Sequence, residues 1–124
     1  IDLYQDCTLG KHRPISDGER MANILANSNL LITARDGSRL VGLARSLTDF
    51  RFCTYLADLA VRESYQRAGI GRALIHHTQA AAPEAFITLL AASEAVDYYP
   101  RIGLKPHQSA WILGPELRVL NVMD

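Results

Sequence analysis

The sequence predicts a single α/β (α+β) domain, and three observations predict it. Short apolar runs at Leu30–Ala34, Leu40–Leu47 and Tyr55–Val61 are separated by turn-forming residues, as the strands of a meander are. The last run gives way to Gln66-Arg67-Ala68-Gly69-Ile70-Gly71-Arg72 and then to a stretch of helical periodicity. Beyond that helix, Ala85–Ala91 is continuously apolar, the mark of a strand buried on both faces. With 124 residues and 48% hydrophobic content, the chain is long enough to bury one core.

Each element has a local reason. Ile1-Asp2-Leu3-Tyr4 can begin as helix, and Ser16-Asp17-Gly18-Glu19 caps a second helix whose apolar stripe is Met21, Ile24 and Leu25, ending near Asn27 or Asn29. Asp36-Gly37 between two apolar runs is a hairpin signal. After Thr48-Asp49, Phe50 to Phe52 makes the next short connection. In the third strand, alternation puts Tyr55, Ala57, Leu59 and Val61 on one face and Leu56, Asp58 and Ala60 on the other. Ile70, Ala73, Leu74, His77 and Ala81 then recur at offsets of three and four until Pro83 stops the helix. After Pro106, Ser109–Leu113 and Leu117–Val122 read as short strands split by Gly114-Pro115.

A strand running through glycines into a helix aims several backbone N–H groups and the positive end of the helix at one spot, which suits a phosphate. Spacing discriminates among phosphate loops. A nucleotide P-loop needs Gly-Lys-Ser or Gly-Lys-Thr, and no Lys-Ser or Lys-Thr pair occurs. The dinucleotide fingerprint needs a third glycine where Leu74 stands. What remains is Q-x-x-G-x-G, followed downstream by Ala95, Tyr98, Tyr99, Arg101, Gly103 and Leu104. In that order the two segments resemble the GNAT N-acetyltransferase superfamily, whose second segment reads approximately A-x-x-F-Y-x-K-x-G-F. The Asn that commonly opens the segment is missing. The likeness runs from Leu30 to Leu113.

The resemblance implies a mixed, mostly antiparallel twisted sheet flanked by helices, with a splayed parallel strand pair at the cofactor site. It implies acetyl-CoA as cosubstrate. Backbone amides of Gln66, Arg67, Ala68, Gly69, Ile70, Gly71 and Arg72 would hold its pyrophosphate, and main-chain groups of Leu59, Ala60 and Val61 its pantetheine arm, with an oxyanion donor near Leu59. Tyr99 matches the tyrosine often assigned as general acid to the departing thiolate; Tyr98 beside it then packs. Asp58, a carboxylate in an otherwise apolar strand, is either a base for the amine or a structural carboxylate bonded to backbone or arginine. The acceptor would be a primary amine on a small molecule or peptide, acetylated by direct transfer. An acyl-CoA-binding regulatory module without catalysis is the alternative. By analogy a homodimer is expected. The family's first strand has no candidate before the first helix, so the sequence reads as a trimmed chain.

Composition narrows the class further. Thirteen basic residues balance thirteen acidic ones, which gives no field for nucleic acid or an anionic membrane. No apolar run approaches the roughly 20 residues needed to span a bilayer, and a cytoplasmic location is expected. Cys7 and Cys53 have no metal or redox spacing and read as structural thiols. His12 and His107 fall in loops, His76 and His77 late on the helix, and no metal site is expected. Glu94 and Asp97 read as solvated capping acids. Trp111 is expected in the core. Arg13, Arg45, Arg51 and Asp49 are expected near the acceptor side.

Overall fold

A meander of three antiparallel strands and one short parallel partner carries everything else. The computed structural model describes residues 1–120. Strands β1 (Leu30–Asp36), β2 (Arg39–Thr48), β3 (Cys53–Val61) and β4 (Phe86–Thr88) form one sheet in that order, and only the β3–β4 pair is parallel. Helix α1 (Asp2–Gln5), a 3-10 turn (Thr8–His12) and α2 (Gly18–Ala26) precede the sheet; α3 (Ile70–Ala81) links β3 to β4, and α4 (Tyr98–Arg101) follows. Among the described residues no helix is long and apolar enough to cross a membrane.

The local signals act where expected. The Asp17 side chain accepts from the Arg20 amide at 3.0 Å and caps α2. Gly37 turns the first hairpin at φ 61°. In the second connection the Asp49 carboxylate accepts from the amides of Phe52, Arg51 and Cys53 at 2.8–3.0 Å, which lowers its pKa to about 2.

Leu43 and Ala44 point to opposite faces of β2, and each face has its own core. On one, Leu43 and Ala60 meet Leu3, Tyr4 and Met21. On the other, Ala44 and Leu56 meet Leu74 and Ile75 of α3, with Leu59 and Val61 packed alongside. Strict alternation would keep Leu56 and Ala60 together. A β-bulge parts them: Arg45 pairs with Asp58 and Ser46 with Leu56, so Ala57 has no partner on β2. This corrects the two faces read from the sequence, for Leu56 joins Leu59 and Val61 while Asp58 and Ala60 turn the other way.

Four further expectations are corrected. In α3 the buried residues are Leu74, Ile75 and Thr78, whereas Ala73, His77 and Ala81 are exposed. Thr78 tolerates burial because its hydroxyl donates to the Leu74 carbonyl at 2.8 Å. The apolar run after α3 is strand only over Phe86–Thr88. Ser109–Leu113 and the described part of Leu117–Val122 form no strand, Asn121 and Val122 lying outside the described residues; Trp111 is 92% exposed rather than in the core. Pro106 and Pro115 bracket this segment, each lacking a donor for a ladder.

Candidate active site

β3 and β4 are hydrogen-bonded only from Cys53–Phe86 to Tyr55–Thr88 and then part. Their separation opens a cleft of about 740 Å³. Leu56, Ala57, Leu59 and Val61 form one wall, Leu89 to Ala92 the other, and the glycine turn closes one end. Past Tyr55 this edge of β3 has no strand beside it among the described residues, so its main chain is available to an extended ligand.

The glycine turn is built from unusual backbone. Arg67 and Gly69 have φ of 67° and 84°, and Gly69 is the N-cap of α3 without any side-chain cap. The first-turn amides therefore have no partner within the helix and point outward beside Arg67 and Arg72, both on the cleft wall. Gln66 Nε2 donates to the Val61 carbonyl at 2.9 Å and ties the turn back to β3. At Gly71 a Cβ would lie 2.9 Å from the Tyr98 hydroxyl. Ala68 does not line the cleft, and Ala60 buries its methyl in the opposite core.

Both tyrosines reach the cleft, by different routes. Tyr98 lays its hydroxyl against the start of α3. Tyr99 packs its ring on the α3-side core, and among the described residues its hydroxyl has no hydrogen-bond partner. Burial pushes the Tyr99 phenol above its ordinary value, with Tyr98 contributing, so it carries its proton at neutral pH. Gly103, at φ 103°, ends α4 and lets the Leu104 amide reach the Tyr99 carbonyl at 3.1 Å.

Asp58 is a correction. It is 1% exposed, is not on the cleft wall, and accepts from Tyr4 Oη at 2.6 Å, Arg13 Nε at 2.6 Å and Arg45 Nε at 2.5 Å. Burial raises its pKa, but the hydrogen bonds of Arg45, Tyr4 and Arg13 outweigh that and hold it below the usual carboxylate range. A carboxylate so saturated is a fastener and a poor base. Arg45 is likewise buried, and Arg13 also donates to the Ala57 carbonyl at 2.7 Å. The segment before α2 is thereby clamped onto the bulge.

That clamp brings in a pair that no spacing in the sequence links. His12 Nε2 lies 3.1 and 3.2 Å from the two carboxylate oxygens of Glu94, and both residues line the cleft. Glu94 belongs to the 3-10 turn Ser93–Ala95 and is no idle cap.

The family model of the acetyltransferase (GNAT) domain matches residues 10–111. The chain belongs to the GNAT acetyltransferase family. Among relatives of this GNAT chain, a probable acetyltransferase of Glycine max is 30% identical over 119 residues, covering 84% of this chain and 47% of that protein. The chain spans about half the length of the curated relatives it matches. A GNAT-family acetyltransferase from Streptococcus pneumoniae superposes with a TM-score of 0.70 at 27% identity, over 91% of this chain and 87% of the other. An aminoglycoside 6'-N-acetyltransferase solved with coenzyme A has the same fold, with a TM-score of 0.63 at 17% identity, over 82% and 74%.

Proposed function

We propose that this GNAT chain transfers an acetyl group from acetyl-CoA directly to a primary amine of a small molecule or peptide. The observation that carries the reading is the parting of β3 and β4 into a cleft with the uncapped start of α3 at one end and a protonated Tyr99 in its wall. The family's cosubstrate fits these residues. Unpaired first-turn amides with Arg67 and Arg72 suit a pyrophosphate, and the open edge at Leu59 and Val61 suits an amide-bearing arm. Acetyl-CoA brings a thioester that is already activated.

The protein's own residues then have two tasks. The walls hold the thioester within reach of an amine, which replaces a bimolecular encounter by a positioned one. Tyr99 gives its proton to the sulfur as the carbon–sulfur bond breaks. Direct transfer is favoured over an acyl-enzyme because Cys7, though on the cleft wall, has its thiol pKa raised by burial and its Sγ on the Tyr4 carbonyl. The likeness in fold to an aminoglycoside acetyltransferase supports an amine acceptor. Two free thiols agree with the cytoplasmic location we propose. The test is thiol release when acetyl-CoA is mixed with the protein and a panel of an alkylamine, a polyamine, an aminoglycoside and a lysine peptide. Coenzyme A that binds without turnover on any of them sinks the catalytic reading.

A further inference from the structure

We propose that His12, oriented by Glu94, is the base that takes the proton from the attacking amine. This rests on the acetyl-transfer reading of the cleft and supplies the residue that reading lacks, since Asp58 is sealed away from it.

The composition of the wall makes the first argument. Of the described side chains lining the cleft, Glu94 is the one carboxylate and His12 the one imidazole, and the fold brings them together from 82 positions apart. Orientation makes the second. The Glu94 carboxyl is held down to about 2 by hydrogen bonds from His12 and from Ser93, whose hydroxyl lies 2.8 Å from Oε1. An ionised carboxylate only accepts, so His12 Nε2 carries the proton and donates it to Glu94. Nδ1 is then the nitrogen with the lone pair, and among the described residues it has no partner. A carboxylate that fixes the tautomer and orientation of a histidine is the relationship that makes an imidazole an effective base.

Position makes the third. Arg13, the next residue, is fastened to the Ala57 carbonyl and to Asp58, which holds His12 at the bulge where β3 and β4 part. An arm laid along β3 from the glycine turn would run from Val61 by Leu59 toward Ala57, about 13 Å at roughly 3.3 Å per residue, with its acyl end directed toward the end of the cleft that His12 lines. In the step, His12 Nδ1 takes one proton from the bound ammonium, and the freed amine nitrogen forms its bond to the thioester carbon. Collapse of the tetrahedral adduct breaks the carbon–sulfur bond, the electron pair goes to sulfur, and Tyr99 supplies the thiol proton. The adduct's remaining surplus N–H proton restores Tyr99, the products are an amide and free thiol, and His12 releases its proton to solvent.

The test compares wild type, His12→Gln and His12→Ala on the best amine of the panel and on hydroxylamine, a nucleophile already unprotonated at neutral pH. We expect kcat/KM on the amine to fall about 100-fold or more. Coenzyme A affinity should stay within about twofold, transfer to hydroxylamine should fall far less, and added imidazole should restore part of the His12→Ala activity. Glu94→Gln should lower kcat about tenfold with little change in KM, and the double variant should be no slower than His12→Gln alone, because Glu94 acts through His12. His12→Gln with wild-type turnover, an equal loss on both nucleophiles, or loss of coenzyme binding in both variants each overturns the base role. Additive losses overturn the role of Glu94. A wild type that binds coenzyme A and acetylates no amine fails differently, taking the enzymatic reading and this role down together.

Discussion

Replacing Asp58 by Asn should unfold this protein more readily than almost any other single change of similar size. The carboxylate is 1% exposed and accepts from Arg45, Tyr4 and Arg13 at 2.5–2.6 Å. Asn keeps the shape, removes the charge and turns an N–H₂ toward one of three donors. Two guanidiniums are then left facing a neutral amide, the Arg45 side chain only 10% exposed and that of Arg13 25%. Breaking a buried pair from one side costs about 3–5 kcal/mol, against the roughly 5–15 kcal/mol a whole domain has. At about 4 °C per kcal/mol for a chain of this length, the melting temperature should drop by about 12–20 °C, read by circular dichroism. The pH dependence follows in sign. The folded pKa lies below the unfolded value near 3.9, so this stabilisation is complete above about pH 4 and is lost as pH falls through the folded pKa. Wild type should therefore lose more stability than Asp58→Asn between pH 5 and 2. A variant melting within about 2 °C of wild type would refute the fastening role, and a fully stable variant that binds coenzyme A but fails to turn over would restore Asp58 as a base.

Other changes separate binding, chemistry and architecture. Gly69→Ala forces a side chain into φ 84° and should cost about 1–2 kcal/mol by thermal melt, while loosening coenzyme A in calorimetry. Tyr99→Phe should lower kcat with coenzyme affinity nearly unchanged; loss of affinity alone would refute the acid role. Coenzyme A binding should weaken as salt is raised, and less steeply in Arg67→Gln/Arg72→Gln, because both cations stand at the helix start. Trp111, 92% exposed, should fluoresce as a solvated indole that acrylamide quenches readily in the folded protein; a shielded spectrum would contradict that placement.

What the sequence made legible was whatever a local rule encodes. Asp36-Gly37 demands a tight turn wherever it falls between apolar runs, and Gly69 and Gly103 stand where the backbone takes a positive φ. These positions set the hairpin, the glycine-turn end of the cleft and the register of Tyr99. Non-local features were silent. Nothing in the Tyr55–Val61 run announces a bulge at Ala57, because a bulge is a property of the pairing with β2 and not of the residue. His12 and Glu94 each sit in a loop with no spacing to link them, and only the fold makes them a pair. The helix face was misread because Ala73 and Ala81 are apolar yet small enough to be left exposed at little cost, while Thr78 buries a hydroxyl that its own helix satisfies.

The unpaired residue at Ala57 links architecture to chemistry. By adding one residue to β3 it turns Leu56 toward the core under α3 and Asp58 toward the segment before α2. Asp58 then collects Arg13, and Arg13 also takes up the Ala57 carbonyl, so the bulge itself is hydrogen-bonded by the clamp it creates. The clamp sets His12 over the point where β3 leaves β4, and His12 reaches Glu94 on the far wall. The acid that looked catalytic in the sequence thus acts at one remove. It holds in place the segment that bears the base, which makes stability and turnover respond to the same carboxylate for different reasons. The two responses separate in Arg13→Ala: the Asp58 charge keeps Arg45, so melting should fall less than in Asp58→Asn, while His12 loses its anchor and turnover should fall to nearly the level of His12→Gln. Wild-type turnover in Arg13→Ala would break that chain of dependence at its middle link.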